Sequence, residues 1–167
     1  VSPASYIKGT TRANKNVTGW GSWAAVDVDD HDFKGDLKSE LFDRFGNWYY
    51  VCYSTASSTK DFPKFRLVFP LTSKVDEPRI KQFWWALNSE LGSIGDRQTK
   101  DLSRMYYIPA TYDNAYNFIF TNDGDYINPD ALINRHPMPQ RSKTIFDGMP
   151  DTMRNAIMQY RANSLTN

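Results

Sequence analysis

The sequence predicts an α+β domain: a mostly antiparallel sheet with helices packed on it, followed by an irregular and helical C-terminal extension. Three observations carry that prediction. Short runs rich in β-branched and aromatic residues recur along the chain, each too short for a helix. Two longer segments, 37–45 and 76–91, instead place apolar residues at helical spacing. The resulting order, β-α-β-β-α-β-β, lacks the strict alternation of a parallel α/β sheet. At 167 residues, with 40% hydrophobic and 23% charged residues, the chain can bury a sizeable core and is not of disordered composition.

Residues 1–19 carry Lys8, Arg12 and Lys15 among Gly, Thr, Ser and Asn, and are expected to form an extended or looped basic lead-in. Ala24 to Val28 is the first strand. After the turn His31-Asp32-Phe33-Lys34-Gly35-Asp36, residues Leu37, Leu41, Phe42 and Phe45 share a helical face, which Gly46-Asn47 ends. Trp48 to Tyr53 and Phe65 to Phe69 are strands separated by a polar Ser/Thr-rich stretch. In the second helix Ile80, Phe83, Trp84, Leu87 and Leu91 form the stripe, with Asp76 suited to the N-cap and Pro78 to the first turn. Met105 to Ile108 and Asn117 to Thr121 are short strands around a loop, and Asn122-Asp123-Gly124-Asp125 is a turn. Beyond Pro129 the composition shifts, and the prolines and basic residues of 134–150 suggest a linker or an arm over the surface, followed by a terminal helix over Thr152 to Ala162 with Met153, Ile157 and Tyr160 on one side. The boundary between core, 1–128, and extension, 129–167, is placed there. An RRM-like, split β-α-β core is the simplest arrangement of these elements.

Three polar clusters can carry chemistry. Asp27 and Asp29 alternate along the first strand and so share a face, with Val26 and Val28 opposite. Two ionised carboxylates held so close repel unless a proton or a cation intervenes, and hard cations such as Mg²⁺ take oxygen ligands of this kind. Equally, Asp-x-Asp is a short and common pattern where a strand runs into a turn. The second cluster runs from Ser54 through Ser57 and Lys60 to Lys64-Phe65-Arg66. Its hydroxyls and cations suit phosphate, and Lys64 and Arg66 are expected on one strand face. The third, Asp96 to Arg104, offers a further carboxylate and a further cation.

Other chemistries lack their residues. Only His31 and His136 are present, with no Cys partner pattern for zinc, and neither a G-x-x-x-x-G-K-[ST] loop nor a G-x-S-x-G elbow occurs. A net charge of +1 gives no bulk argument for nucleic acid, which would need a local basic patch. The single cysteine, Cys52, suits a reducing compartment. No apolar run reaches the ~18 residues that span a bilayer.

Taken in order, VDVDD, STASSTKDFPKFRLVFPL and DRQTKDLSRMYYIPATY resemble the three motifs of the archaeo-eukaryotic primase superfamily, most closely the primase-polymerase domains of phage and plasmid replication proteins. The similarity covers about Gly9 to Tyr112. It implies a DNA primase/polymerase, a nucleotidyltransferase that joins (d)NTPs on a single-stranded DNA template with two Mg²⁺ or Mn²⁺ ions. Asp27 and Asp29 then match the metal-binding pair of the first motif, and Asp96, or Asp101 in its place, the carboxylate of the third. Ser57, Lys60, Lys64, Arg66 and Arg104 would meet the nucleotide. Arg66 stands where the family's second motif has a histidine, so no titrating imidazole is expected there. Beyond the likeness, the sequence is expected to be part of a longer parent chain, with a helicase domain in that chain as a candidate partner, and to act in the cytoplasm, that of the host for a virus, with no membrane partner. A non-catalytic single-strand-binding module, stacking bases on Tyr49, Tyr53 or Tyr106, is the alternative. A nicking domain would need a nucleophilic Tyr beside paired His, which the chain lacks.

Overall fold

Among the described residues, two antiparallel sheets, one of three strands and one of four, are built from seven strands, and four α-helices accompany them. The computed structural model describes residues 1–92, 94, 102–140 and 148–164. In chain order the elements are β1 (Ala4–Tyr6), β2 (Val17–Trp20), β3 (Trp23–Val28), α1 (Leu37–Phe45), β4 (Tyr50–Ser54), β5 (Phe65–Pro70), β6 (Val75–Asp76), α2 (Glu77–Glu90), β7 (Ile119–Asn122), α3 (Pro129–Arg135) and α4 (Asp151–Ser164). The smaller sheet has the order β1-β2-β6 and the larger β3-β5-β4-β7.

All three expected helices form within a residue or two of where the sequence placed them, as α1, α2 and α4, and the architecture is α+β as predicted. β5 runs antiparallel to β3 and to β4, so β3 and β4 are parallel and β3-α1-β4 is a split β-α-β unit. The last strand, β7, joins at β4 and not beside β3. Within residues 1–19, expected to be an extended or looped lead-in, the chain is extended at β1 and from Val17 in β2, and it is part of the sheet more than a lead-in: β2 pairs with both β1 and β6, and its Val17 and Trp20 are buried. Met105 to Ile108 is irregular, not a strand. A helix the sequence reading missed, α3, starts at Pro129 behind an Asn128 cap whose side chain accepts from the Ala131 amide.

The register across the larger sheet sorts its residues into two faces. Val26, Leu67, Cys52 and Phe120 stand opposite one another in one row. In the next row stand Asp27, Arg66, Tyr53 and Ile119, and alternation puts them on the other face. The first face holds the core, where Val26, Val28, Phe65, Leu67 and Cys52 meet Leu41 and Phe45 of α1. That cluster is continuous with Ile80, Phe83, Ala86 and Leu87 of α2, whose Phe83 ring meets Trp20 edge-on at 6.1 Å. By contrast α4 buries none of its residues, and Met153 and Tyr160 are exposed.

Candidate functional site

The second face of the sheet is crossed by an irregular segment, 102–108, and the candidate site lies between the two. Tyr106 anchors the segment: its hydroxyl donates to the Ala25 carbonyl at 3.0 Å and its ring meets Trp23. The segment brings the Arg104 side chain to Asp27 and the Tyr107 carbonyl to Arg66 and Tyr53.

Asp27 is 3% exposed, and a carboxylate so buried requires cationic partners. It has two. One oxygen accepts from Arg66 Nε, the other from Arg104 Nη2 at 2.8 Å. The Arg66 guanidinium is itself enclosed, donating to the Tyr107 carbonyl at 2.8 Å and lying over the rings of Tyr53 and Tyr106. The Tyr53 hydroxyl donates to that same carbonyl at 2.8 Å and accepts from Arg66 Nη1. Burial works against the charge of Arg66, but its bonds to Asp27 and Tyr53 outweigh it, so its pKa rises above the ordinary guanidinium value.

Asp29 differs. β3 ends at Val28, so Asp29 lies one residue past the strand and is exposed. The two carboxylates are thus not equivalent neighbours on a strand, but they still line a single cavity of about 460 Å³ together with Arg66, Arg104 and Ser57. Three of the nucleotide-contact candidates therefore come together with the carboxylate pair. Lys60 does not: it lines a separate groove beside α1. Lys64 precedes β5 and its backbone closes the loop, its amide donating to Ser58 Oγ and its carbonyl accepting from the Thr55 amide. It is not among the residues lining the cavity. Asp96 and Asp101 lie outside the described residues.

The Ser/Thr hydroxyls of the β4–β5 loop are mostly committed to its backbone. Ser54 and Thr55 donate to the carbonyls of Phe118 and Lys64, and Thr59 to that of Phe62. Ser57, at the exposed tip of the loop, also lines the cavity. His31 is structural: it bonds the Pro63 carbonyl through Nε2, accepts from the Phe33 amide at Nδ1 and stacks on Phe62. Of the tyrosines expected to be open for base stacking, Tyr53 and Tyr106 are both 6% exposed and sandwich Arg66; Tyr49 is half-buried against Tyr126. They do not form an open platform. The participation of Tyr53, Tyr106 and Tyr107 in fixing Arg66 had no signal beyond their place in β-prone runs.

As a donor set, the cavity offers carboxylate oxygens of the kind that hard divalent cations select. The Asp29 carboxylate has no ion-pair partner among the described residues. Each Asp27 oxygen has accepted one arginine N–H, and a carboxylate oxygen has capacity for a second partner. The residues present fit such an ion, although no cluster of three metal-binding side chains occurs among the described residues.

Comparison with known proteins follows the same line. The profile of the VapE N-terminal domain family matches residues 4–143. Among solved structures, the AEP domain of the primase-polymerase of cyanophage S-2L superposes with a TM-score of 0.51 at 16% identity, covering 75% of this chain and 65% of that one. The superposed part thus spans just under two thirds of that phage domain. No curated protein matches the chain. The fold is therefore that of a primase-polymerase AEP domain, in agreement with the superfamily that the three motifs resemble.

Proposed function

The chain belongs to the VapE N-terminal domain family, and from that premise we propose that it is a DNA primase/polymerase domain, catalysing template-directed nucleotidyl transfer from (d)NTPs during replication. One observation carries the reading: Asp27 and Asp29 line the same cavity as Arg66, Arg104 and Ser57, on the second face of a sheet with a primase-polymerase fold.

The chemistry follows from charge. Two carboxylates and two guanidiniums leave the cavity formally neutral. A divalent cation and a polyphosphate offset each other and are accommodated together better than either alone. Asp27 and Asp29 would hold the cation, with Asp96 proposed as a third ligand and Asp101 as its alternative. Bound there, Mg²⁺ or Mn²⁺ supplies activation of an attacking 3′-hydroxyl and stabilisation of departing pyrophosphate. Arg66, locked by Asp27, the Tyr107 carbonyl and two ring faces, presents a guanidinium whose position is set before any ligand arrives. Arg104, more accessible, can turn from Asp27 toward a phosphate, and Ser57 offers a hydroxyl from the loop. Lys60 and Lys64 have no place in this arrangement of the triphosphate. The reading includes a single-stranded DNA template, a helicase domain in the same parent chain and action in the cytoplasm.

The test uses Asp29, whose side chain is exposed. Asp29→Ala and Asp29→Asn should lower Mn²⁺- or Mg²⁺-dependent incorporation of labelled nucleotide on a single-stranded template by about a hundredfold or more. Incorporation at the parent rate by both variants overturns the assignment. A non-catalytic binding module would instead show no incorporation by the parent chain and unchanged strand binding in chelator.

A further inference from the structure

A second feature lies on the opposite side of the edge strand from Ile119. The run Tyr116-Asn117-Phe118-Ile119-Phe120 places three aromatic rings at alternate positions leading into and along β7, the outermost strand of the larger sheet. Ring centres are 5.3 Å apart from Tyr116 to Phe118 and 6.0 Å from Phe118 to Phe120. A groove of about 390 Å³ runs along them, and its other residues include Lys34, Lys38 and Lys60.

The groove's charges favour an anion. All three lysines are exposed and none has an ion-pair partner among the described residues. Lys38 holds its ammonium 5.1 Å from the centre of the Phe120 ring, a cation held on an apolar wall. Of the two carboxylates in the groove, Asp36 is committed to the start of α1, accepting from the amide and hydroxyl of Ser39 at 3.1 Å.

The groove also connects to the Asp27 cavity. A depression of about 300 Å³ between them shares Phe118 with the groove, and Tyr53 and Ser54 with the cavity. Cations beside a row of rings are what an unpaired strand requires: phosphates follow the charges and bases find ring faces. A duplex keeps its base faces stacked inside, and an acidic peptide would use the lysines but not the rings.

We propose that this groove is a track for single-stranded nucleic acid, crossing the β7 edge from the Asp27 cavity to α1. For the identity of the strand as template the proposal rests on the nucleotidyl-transfer reading; the binding itself needs neither metal nor catalysis. Phe118 and Phe120 also pack on the core, so the informative ring is Tyr116, 42% exposed.

The experiment measures fluorescence anisotropy of a labelled oligothymidylate with the full chain in chelator, beside a duplex of equal length. Tyr116→Ala should weaken single-strand binding about tenfold, Tyr116→Trp should restore it, and Lys34→Ala should weaken it and flatten its salt dependence by about 0.7 in the log–log slope. Parent-like binding by both Tyr116→Ala and Lys34→Ala overturns the track, as does equal or tighter binding of duplex by the parent. Asp29→Ala separates the two readings: normal binding with undiminished incorporation removes the catalytic assignment and leaves the track standing. Lost incorporation with intact binding by Tyr116→Ala and Lys34→Ala does the reverse.

Discussion

At the scale of single residues, Asp27 and Asp29 look alike in sequence and differ in everything the fold does with them. Asp27 is buried between two arginines, and removing its carboxylate leaves Arg66 enclosed without a counter-charge. Breaking a buried pair from one side costs roughly 3–5 kcal/mol, whereas an exposed substitution usually changes stability by less than about 0.5 kcal/mol. Asp27→Ala should therefore lower the urea midpoint strongly and Asp29→Ala hardly at all. Equal midpoints for the two variants would show that the arginine pairs contribute no net stability. This difference governs how activity data are read, because a dead Asp27 variant reports on folding as well as on chemistry. The alternation of the carboxylates was visible in VDVDD, and it pointed to the candidate site. What the sequence could not display was that β3 stops between them, or that Arg104, 77 positions away, reaches the inner one.

At the scale of elements, legibility followed how local the determinants are. α1 has the bounds expected of it, because its stripe and its Gly46 end are neighbours in sequence. β4 and β5 announced themselves through dense β-branched and aromatic runs. β1 and β2 did not, since what buries Val17 and Trp20 comes from β6 and α2, far along the chain. α3 was not expected although Asn128-Pro129 carries a start signal, an Asx cap followed by proline in the first turn, at the point where the shift in composition set the boundary of the extension. Similarly, the alternating rings of Tyr116, Phe118 and Phe120 were in plain view within a short strand, and only their nearness to Lys34 and Lys60 gives them meaning. The β2–β6 pairing offers an element-scale test. A Cβ on Gly19 would stand 2.8 Å from the Val75 carbonyl oxygen, which is backbone and cannot swing aside. Gly19→Ala should therefore destabilise the domain by about 1–3 kcal/mol, seen as a lower thermal midpoint. An unchanged midpoint would mean that the small sheet shifts without cost.

At the scale of the whole molecule, the core contains two groups that keep their protons. Burial and then the nearby Cys52 push the Tyr50 phenol from 10.0 up to about 12, and burial alone pushes the Cys52 thiol well above its ordinary 9.0. The native state holds these protons after the unfolded chain has begun to release them. Stability is therefore intact below about pH 9 and falls as pH rises toward 12, with a slope reaching about 1.4 kcal/mol per pH unit for each group. Urea midpoints taken from about pH 8 to pH 11 should decline, and Tyr50→Phe should remove part of the decline above pH 10. A flat profile would show that neither group is shielded in solution.

Among the described residues, the order β3-β5-β4-β7 leaves two strands with an unpaired side, β3 and β7. Exposed strand margins invite further strands from other molecules, and natural sheets deter them with short lengths and charges directed into the sheet. β3 is six residues long, carries Asp27 on its inner row and runs into Asp29 and Asp30; β7 is four residues long and is followed by Asp123 and Asp125. Both margins thus end in negative charge. Asp27 is neutralised by its two arginines, so at β3 this deterrent falls to the exposed Asp29 and Asp30, and a residue proposed for chemistry also suits the role of a guard against intermolecular β-addition.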